Sequence, residues 1–106
     1  MISSLALDYM REGIKFNQNK EFNNAARYFS ISWAFNALQE YPEGMDICDR
    51  LLETLKVPHD NLTYCHEYGR ETVNKVMSMV ESVERRLHNT SVDKKERSLK
   101  AIVDSI

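Results

Sequence analysis

An all-α fold is what this chain of 106 residues predicts, and three features carry that expectation. Three glycines and two prolines leave little turn chemistry for a β fold. Apolar residues recur at intervals of three and four along most of the chain, which is the spacing of a helix face. Polar breaks at Asn17-Gln18-Asn19-Lys20, Tyr41-Pro42-Glu43-Gly44, Val57-Pro58-His59-Asp60 and His88-Asn89-Thr90-Ser91 divide it into about five such segments. The length suits a single domain over 1–106, and a 42% apolar content is enough for a core. The expected architecture is a compact bundle of about five helices.

The first segment runs from about Ser4 to Asn17, with Ser3 or Ser4 as N-cap. Leu5, Tyr9, Gly13 and Phe16 form one face, and Met10 and Ile14 widen it. The second spans about Glu21 to Gln39. Phe22, Ala26, Phe29, Trp33 and Ala37 make one stripe, while Ala25, Tyr28, Ile31, Phe35 and Leu38 fill much of the remainder. A helix apolar on so many sides belongs between neighbours, at the centre of the core. Gly13, Ala25 and Phe29, with Tyr9 and Phe16 beside the glycine, fit two antiparallel helices in close contact.

The third segment, 43–56, turns Ile47, Cys48, Leu51, Leu52 and Leu55 inward. Glu43, Asp46, Asp49 and Glu53 make its outer side acidic, and those near its start suit the positive end of the helix dipole. The fourth, 61–88, is the longest. Val73, Val76, Val80, Val83 and Leu87 repeat along it as a heptad seam, which either packs within the monomer or joins a homodimer. Gly69 weakens this helix by about 1 kcal/mol relative to alanine, which predicts a kink or a close helix contact there. The last segment, 91–105, has Val92, Leu99, Ile102, Val103 and Ile106 as its apolar side.

Residues 6–39 resemble one tetratricopeptide (TPR) repeat, a 34-residue helix–turn–helix unit. Tyr9 stands at the tryptophan position, Gly13 at the glycine, Phe16 at the first-helix aromatic, Ala25 at the alanine and Phe29 at the phenylalanine. Glu12, Ser32 and Ala37 depart from the usual leucine, alanine and proline. No second copy is found: with Gly69 as the repeat glycine, Glu81 falls at the alanine position. One such unit cannot bury its own apolar face, so the later helices or a second chain must cover it. The resemblance implies a ligand-facing surface on the first helix at Leu7, Met10, Ile14 and Asn17, mainly apolar and suited to a peptide or helix in a groove. The alternative is that the third helix covers this face.

Chemical motifs are scarce. His59, Cys65 and His66 are close in sequence, but Cys65 and His66 are adjacent and leave a helix in different directions, and no ligand spacing accompanies them, so no metal site or cofactor is expected. No residues supply nucleophile, base and anion stabiliser together, which argues against an enzyme. A net charge of −2 is not that of a nucleic-acid binder, and the late basic residues Arg85, Arg86, Lys94, Lys95, Arg97 and Lys100 are interleaved with acids. No stretch approaches eighteen apolar residues and Met1-Ile2-Ser3-Ser4 does not open a signal peptide, so neither membrane association nor export is expected. Two cysteines are too few for a disulfide framework and fit a reducing, cytoplasmic setting.

The expected function is that of a noncatalytic protein-interaction module, a small adaptor or inhibitor that binds a larger protein through the first-helix face or the acidic third helix. The alternative is a helical homodimer through the fourth helix, acting as a transcription or nucleic-acid-linked regulator.

Overall fold

The computed structural model describes residues 2–56, 59–78, 85 and 92–104. Among them are five helices: α1 (Ile2–Gln18), α2 (Phe22–Leu38), α3 (Pro42–Thr54), α4 (His59–Met77) and α5 (Val92–Asp104). No strand occurs among the described residues. The first three breaks fall close to where the sequence places them. Pro42 opens α3, where its missing N–H has no helical partner to lose.

The first two turns are built alike. Lys20 and Glu40 adopt left-handed backbone, with φ of 62° and 53°. After α1, the Glu21 N–H donates to the Phe16 carbonyl at 2.8 Å; after α2, the Tyr41 N–H donates to the Asn36 carbonyl at 3.0 Å. These are Schellman-type ends made without glycine, and they reverse the chain within three residues. The result is a close hairpin of α1 and α2, followed directly by α3.

α2 is the hub. Every residue from Tyr28 to Asn36 is buried, and α1, α3 and α4 all contact this helix. The serine and asparagine side chains of this enclosed helix find their partners inside the fold. The Ser30 hydroxyl donates to its own helix at Ala26 O (2.7 Å), and Ser32 donates across to Ala6 O of α1 (2.6 Å). Asn36 donates to Ser32 O at 3.0 Å, and the Cys48 thiol of α3 donates to the Ser32 hydroxyl at 3.4 Å. These bonds link α3 and α1 through the centre of α2.

Two close approaches set the distances. A Cβ on Gly13 would lie 2.6 Å from the Phe29 ring, and one on Gly69 would lie 2.1 Å from the Ser30 carbonyl oxygen. The expected register of Gly13 against Phe29 is therefore seen as a direct contact. Gly69 is likewise the close helix contact that its position predicted.

Around α2 the apolar residues form two clusters. One joins Leu5, Tyr9, Tyr28, Ile31, Trp33, Phe35, Val73 and Val76, and takes in Leu99, Ile102 and Val103 of α5. The other joins Ala25, Phe29, Leu52 and Leu62, with Met10, Ile14, Leu51 and Leu55 packed against it. Within the first, the Tyr9 ring stacks on Phe35 at 5.8 Å and leans on Tyr28 at 5.6 Å, and Phe16 meets Tyr28 edge-on at 4.9 Å.

The Tyr9 and Tyr28 hydroxyls are buried and have no partner among the described residues. Burial pushes both phenols well above the usual tyrosine range, so they stay neutral. Replacing Tyr9 with phenylalanine removes an unsatisfied polar atom and is expected to leave stability unchanged or raise it by about 1 kcal/mol. Urea denaturation checks this; a loss of that size would show that the hydroxyl is bonded in solution.

Three expectations are corrected. α4 does not run unbroken to residue 88: it ends at Met77, where Ser78 lies in a turn and its hydroxyl donates to Lys75 O at 2.7 Å. Ile47 does not face the core. α3 sets its Gly44–Cys48–Leu52 strip on α2, because Gly44 meets the Asn36 amide, and this leaves Ile47 about half exposed. Phe22, the first residue of α2, is also exposed.

Candidate interaction surface

The first-helix face divides. Met10 and Ile14 are half-buried and pack on the second cluster, beside residues of α3 and α4, and Asn17 is half-buried. Leu7 alone of the four is exposed, at 41%. Met10 and Ile14 therefore act as packing residues in the monomer. A Met10→Asp, Ile14→Asp double variant is expected to destabilise the fold by about 3 kcal/mol or more, through lost apolar burial and buried charge. Thermal melting followed by circular dichroism checks it; an unchanged midpoint would show that the face is open.

The seam of α4 also divides. Val73 and Val76 are fully buried in the first cluster, against α2 and α5, so their side chains are not available to a partner. Val80, Val83 and Leu87 lie outside the described residues.

The acidic side of α3 holds in part. Glu43, Asp46 and Glu53 are exposed. Asp46 pairs with Arg50 one turn on, at 3.1 Å, an exposed ion pair of little energetic weight. Asp49 turns instead toward α4, where one carboxylate oxygen lies 2.7 Å from His66 Nε2. The His66 ring is stacked flat on Trp33, with centroids 3.7 Å apart and planes 5° from parallel. Arg70, one turn further along α4, lies 4.9 Å from the same indole. This array joins α2, α3 and α4, and sequence reading did not find it. The only trace in the sequence is the spacing of His66 and Arg70, which puts two cationic-type side chains on one face of α4.

Chemically the array is a clasp. The Asp49 carboxylate orients the imidazole, while the indole beneath fixes the ring plane. Cys48 lies next to Asp49 in sequence, but its thiol is hydrogen-bonded to Ser32 and approached by the Asn36 amide at 3.8 Å. Burial pushes this thiol up from its usual range despite those bonds, which keeps it protonated and weakly nucleophilic. No group of three or more potential ligand side chains that could hold a metal ion occurs among the described residues. No described helix is long and apolar enough to cross a membrane.

The exposed apolar side chains are unevenly placed. Leu38 (49%), Tyr41 (52%) and Ile47 (47%) lie within ten residues of chain around the α2–α3 turn. Exposed Glu40, Glu43 and Asp46 are interleaved with them. A surface depression of about 440 Å³ lies elsewhere, at the α1–α2 turn, lined by the consecutive residues Lys20, Glu21, Phe22, Asn23 and Asn24. Consecutive lining makes it the outer side of a turn, without convergent groups from separate elements. Comparison with protein-family models, curated proteins and solved structures gives no match to this chain.

Proposed function

We propose that this chain is a noncatalytic protein-interaction module, an adaptor or inhibitor whose binding surface is the α2–α3 corner. The observation that carries the reading is the half-exposed trio Leu38, Tyr41 and Ile47, set among exposed acids. Single apolar residues on a surface are ordinary, but three within one ten-residue stretch, interleaved with exposed acids, have the composition of an interface. The tetratricopeptide-like hairpin is part of the proposal. Its register residues bring α1 and α2 together, and the corner follows at the end of its second helix. The partner that fits is a basic, amphipathic segment, whose apolar side meets Leu38 and Ile47 while Glu43 and Glu53 speed its approach.

A Leu38→Glu, Ile47→Glu double variant tests this. Both side chains lie outside the core clusters, so the melting temperature is expected to stay within a few degrees of the parent. Affinity capture from lysate is expected to recover a partner with the parent chain and to lose it with the variant. A partner retained equally by both would overturn the assignment of the corner.

A further inference from the structure

We infer that Tyr41, with Glu40 and Glu43 beside it, is a recognition site for a guanidinium group, so that a basic partner is read through an arginine side chain. The inference rests on the α2–α3 corner being the binding surface, and adds the chemistry by which that corner selects.

The turn between α2 and α3 fixes the aromatic ring. The Tyr41 N–H donates to the Asn36 carbonyl at 3.0 Å, and the Tyr41 carbonyl accepts from the Met45 N–H at 3.2 Å. A Cβ on Gly44 would lie 2.8 Å from Tyr41 Cδ2, so the ring takes space that any other residue there would fill. About half of Tyr41 nevertheless stays open to solvent. A ring seated in this way has little freedom left to lose when a ligand settles on it. In the sequence, Tyr41-Pro42-Glu43-Gly44 reads only as a helix break; the structure makes it a support for an exposed aromatic.

The free charges beside the ring are of one sign. Glu40 and Glu43 are exposed and have no ion-pair partner among the described residues. Asp46, the next acid along α3, is paired with Arg50. An aromatic face attracts cations, and neighbouring carboxylates add to the same preference. A guanidinium suits this set better than an ammonium. It is planar and weakly hydrated, so it can stack on the ring while its edge N–H groups reach a carboxylate. An acidic ligand would be repelled, and an uncharged one would gain nothing from the two glutamates.

Amide correlation NMR of the full chain, titrated with Nα-acetyl-arginine amide, tests the site without a known partner. Saturable shifts are expected at residues 40–45 as the ligand approaches about 100 mM, a range suited to weak binding. The citrulline analogue has the same shape without the charge and should give none. The lysine analogue should bind about threefold more weakly. Tyr41→Leu keeps an apolar side chain but removes the ring, and should weaken arginine binding by about threefold or more, whereas Tyr41→Phe should not. The Glu40→Gln, Glu43→Gln double variant should weaken it by a similar factor, about threefold, with the largest loss at low salt. All three positions are exposed, so the remaining amide signals should stay in place in every variant. Tyr64, exposed at 75% on α4, is the internal control. Equal shifts at Tyr64, equal binding of the citrulline analogue, undiminished binding to Tyr41→Leu, or no saturable shift would each overturn the inference.

The corner and its arginine contact fail separately. A captured partner lost with Leu38→Glu, Ile47→Glu but kept by Tyr41→Leu would leave the corner standing and remove the arginine contact. Arginine amide bound at Tyr41, with a partner indifferent to both variants, would leave the cation site standing and remove the corner.

Discussion

Alanine in place of Phe29 is expected to lower stability by about 4 kcal/mol, a large part of the roughly 5–15 kcal/mol typical of a folded domain. Phe29 is fully buried on α2 and fills the space that Gly13 leaves on α1. It also supplies the ring against which Leu52, Leu62, Met10 and Ile14 gather. Truncation removes its burial and opens a cavity where three helices meet, none of which can close in without moving the others. Urea denaturation gives the size of the effect. The contact itself is tested by a second substitution. Gly13→Ala alone forces a methyl group against the ring and is expected to cost about 2 kcal/mol. In a Phe29→Leu background the shorter side chain yields space, so the two costs should fall short of additivity by about 1 kcal/mol. Strictly additive costs would show that the two positions do not touch.

Gly69→Ala carries the second large effect, and its sign is the informative part. On helix propensity alone the change would stabilise α4 by about 1 kcal/mol. The added methyl group would lie 2.1 Å from the Ser30 carbonyl oxygen and 2.7 Å from its carbon, both backbone atoms of the hub helix. A side chain could rotate away; this backbone cannot, because α1 and α3 hold α2 from its other sides. Overpacking of this kind costs about 3 kcal/mol, which leaves a net loss of about 2 kcal/mol. Asn74→Ala, on the exposed side of the same helix, is expected to gain about 0.5 kcal/mol instead. Chemical denaturation of the two variants decides the matter, and a stabilising Gly69→Ala would contradict the close approach of α4 to α2.

Much of this fold can be read from local pattern. The helices begin and end within a few residues of their polar breaks, except at the end of α4, where Ser78 stops a helix that the apolar repeat would continue. The central place of α2 is legible because a helix with apolar residues on nearly every side has no face to give to water. What periodicity could not give is phase. Ile47, Leu51 and Leu55 describe one face of α3 and Cys48 and Leu52 an adjacent one. The choice fell to Gly44, whose missing side chain lets the second face come closest to α2. The same limit hid the Asp49–His66–Trp33 clasp, which joins three helices through side chains that no local rule relates. The first-helix face shows the same limit. Met10 and Ile14 have the spacing of a ligand surface, and the same spacing serves equally well for contact with the cluster formed by α2, α3 and α4.

The interior belongs to α2, and we propose that binding belongs to the outer side of the α2–α3 corner. Backbone amide exchange, measured on the chain alone and with its captured partner bound, tests it most directly. The predicted result is slow exchange through α2 in both states, with added protection on binding confined to residues 38–54. Added protection over residues 7–17 of α1, with the corner unchanged, would contradict it.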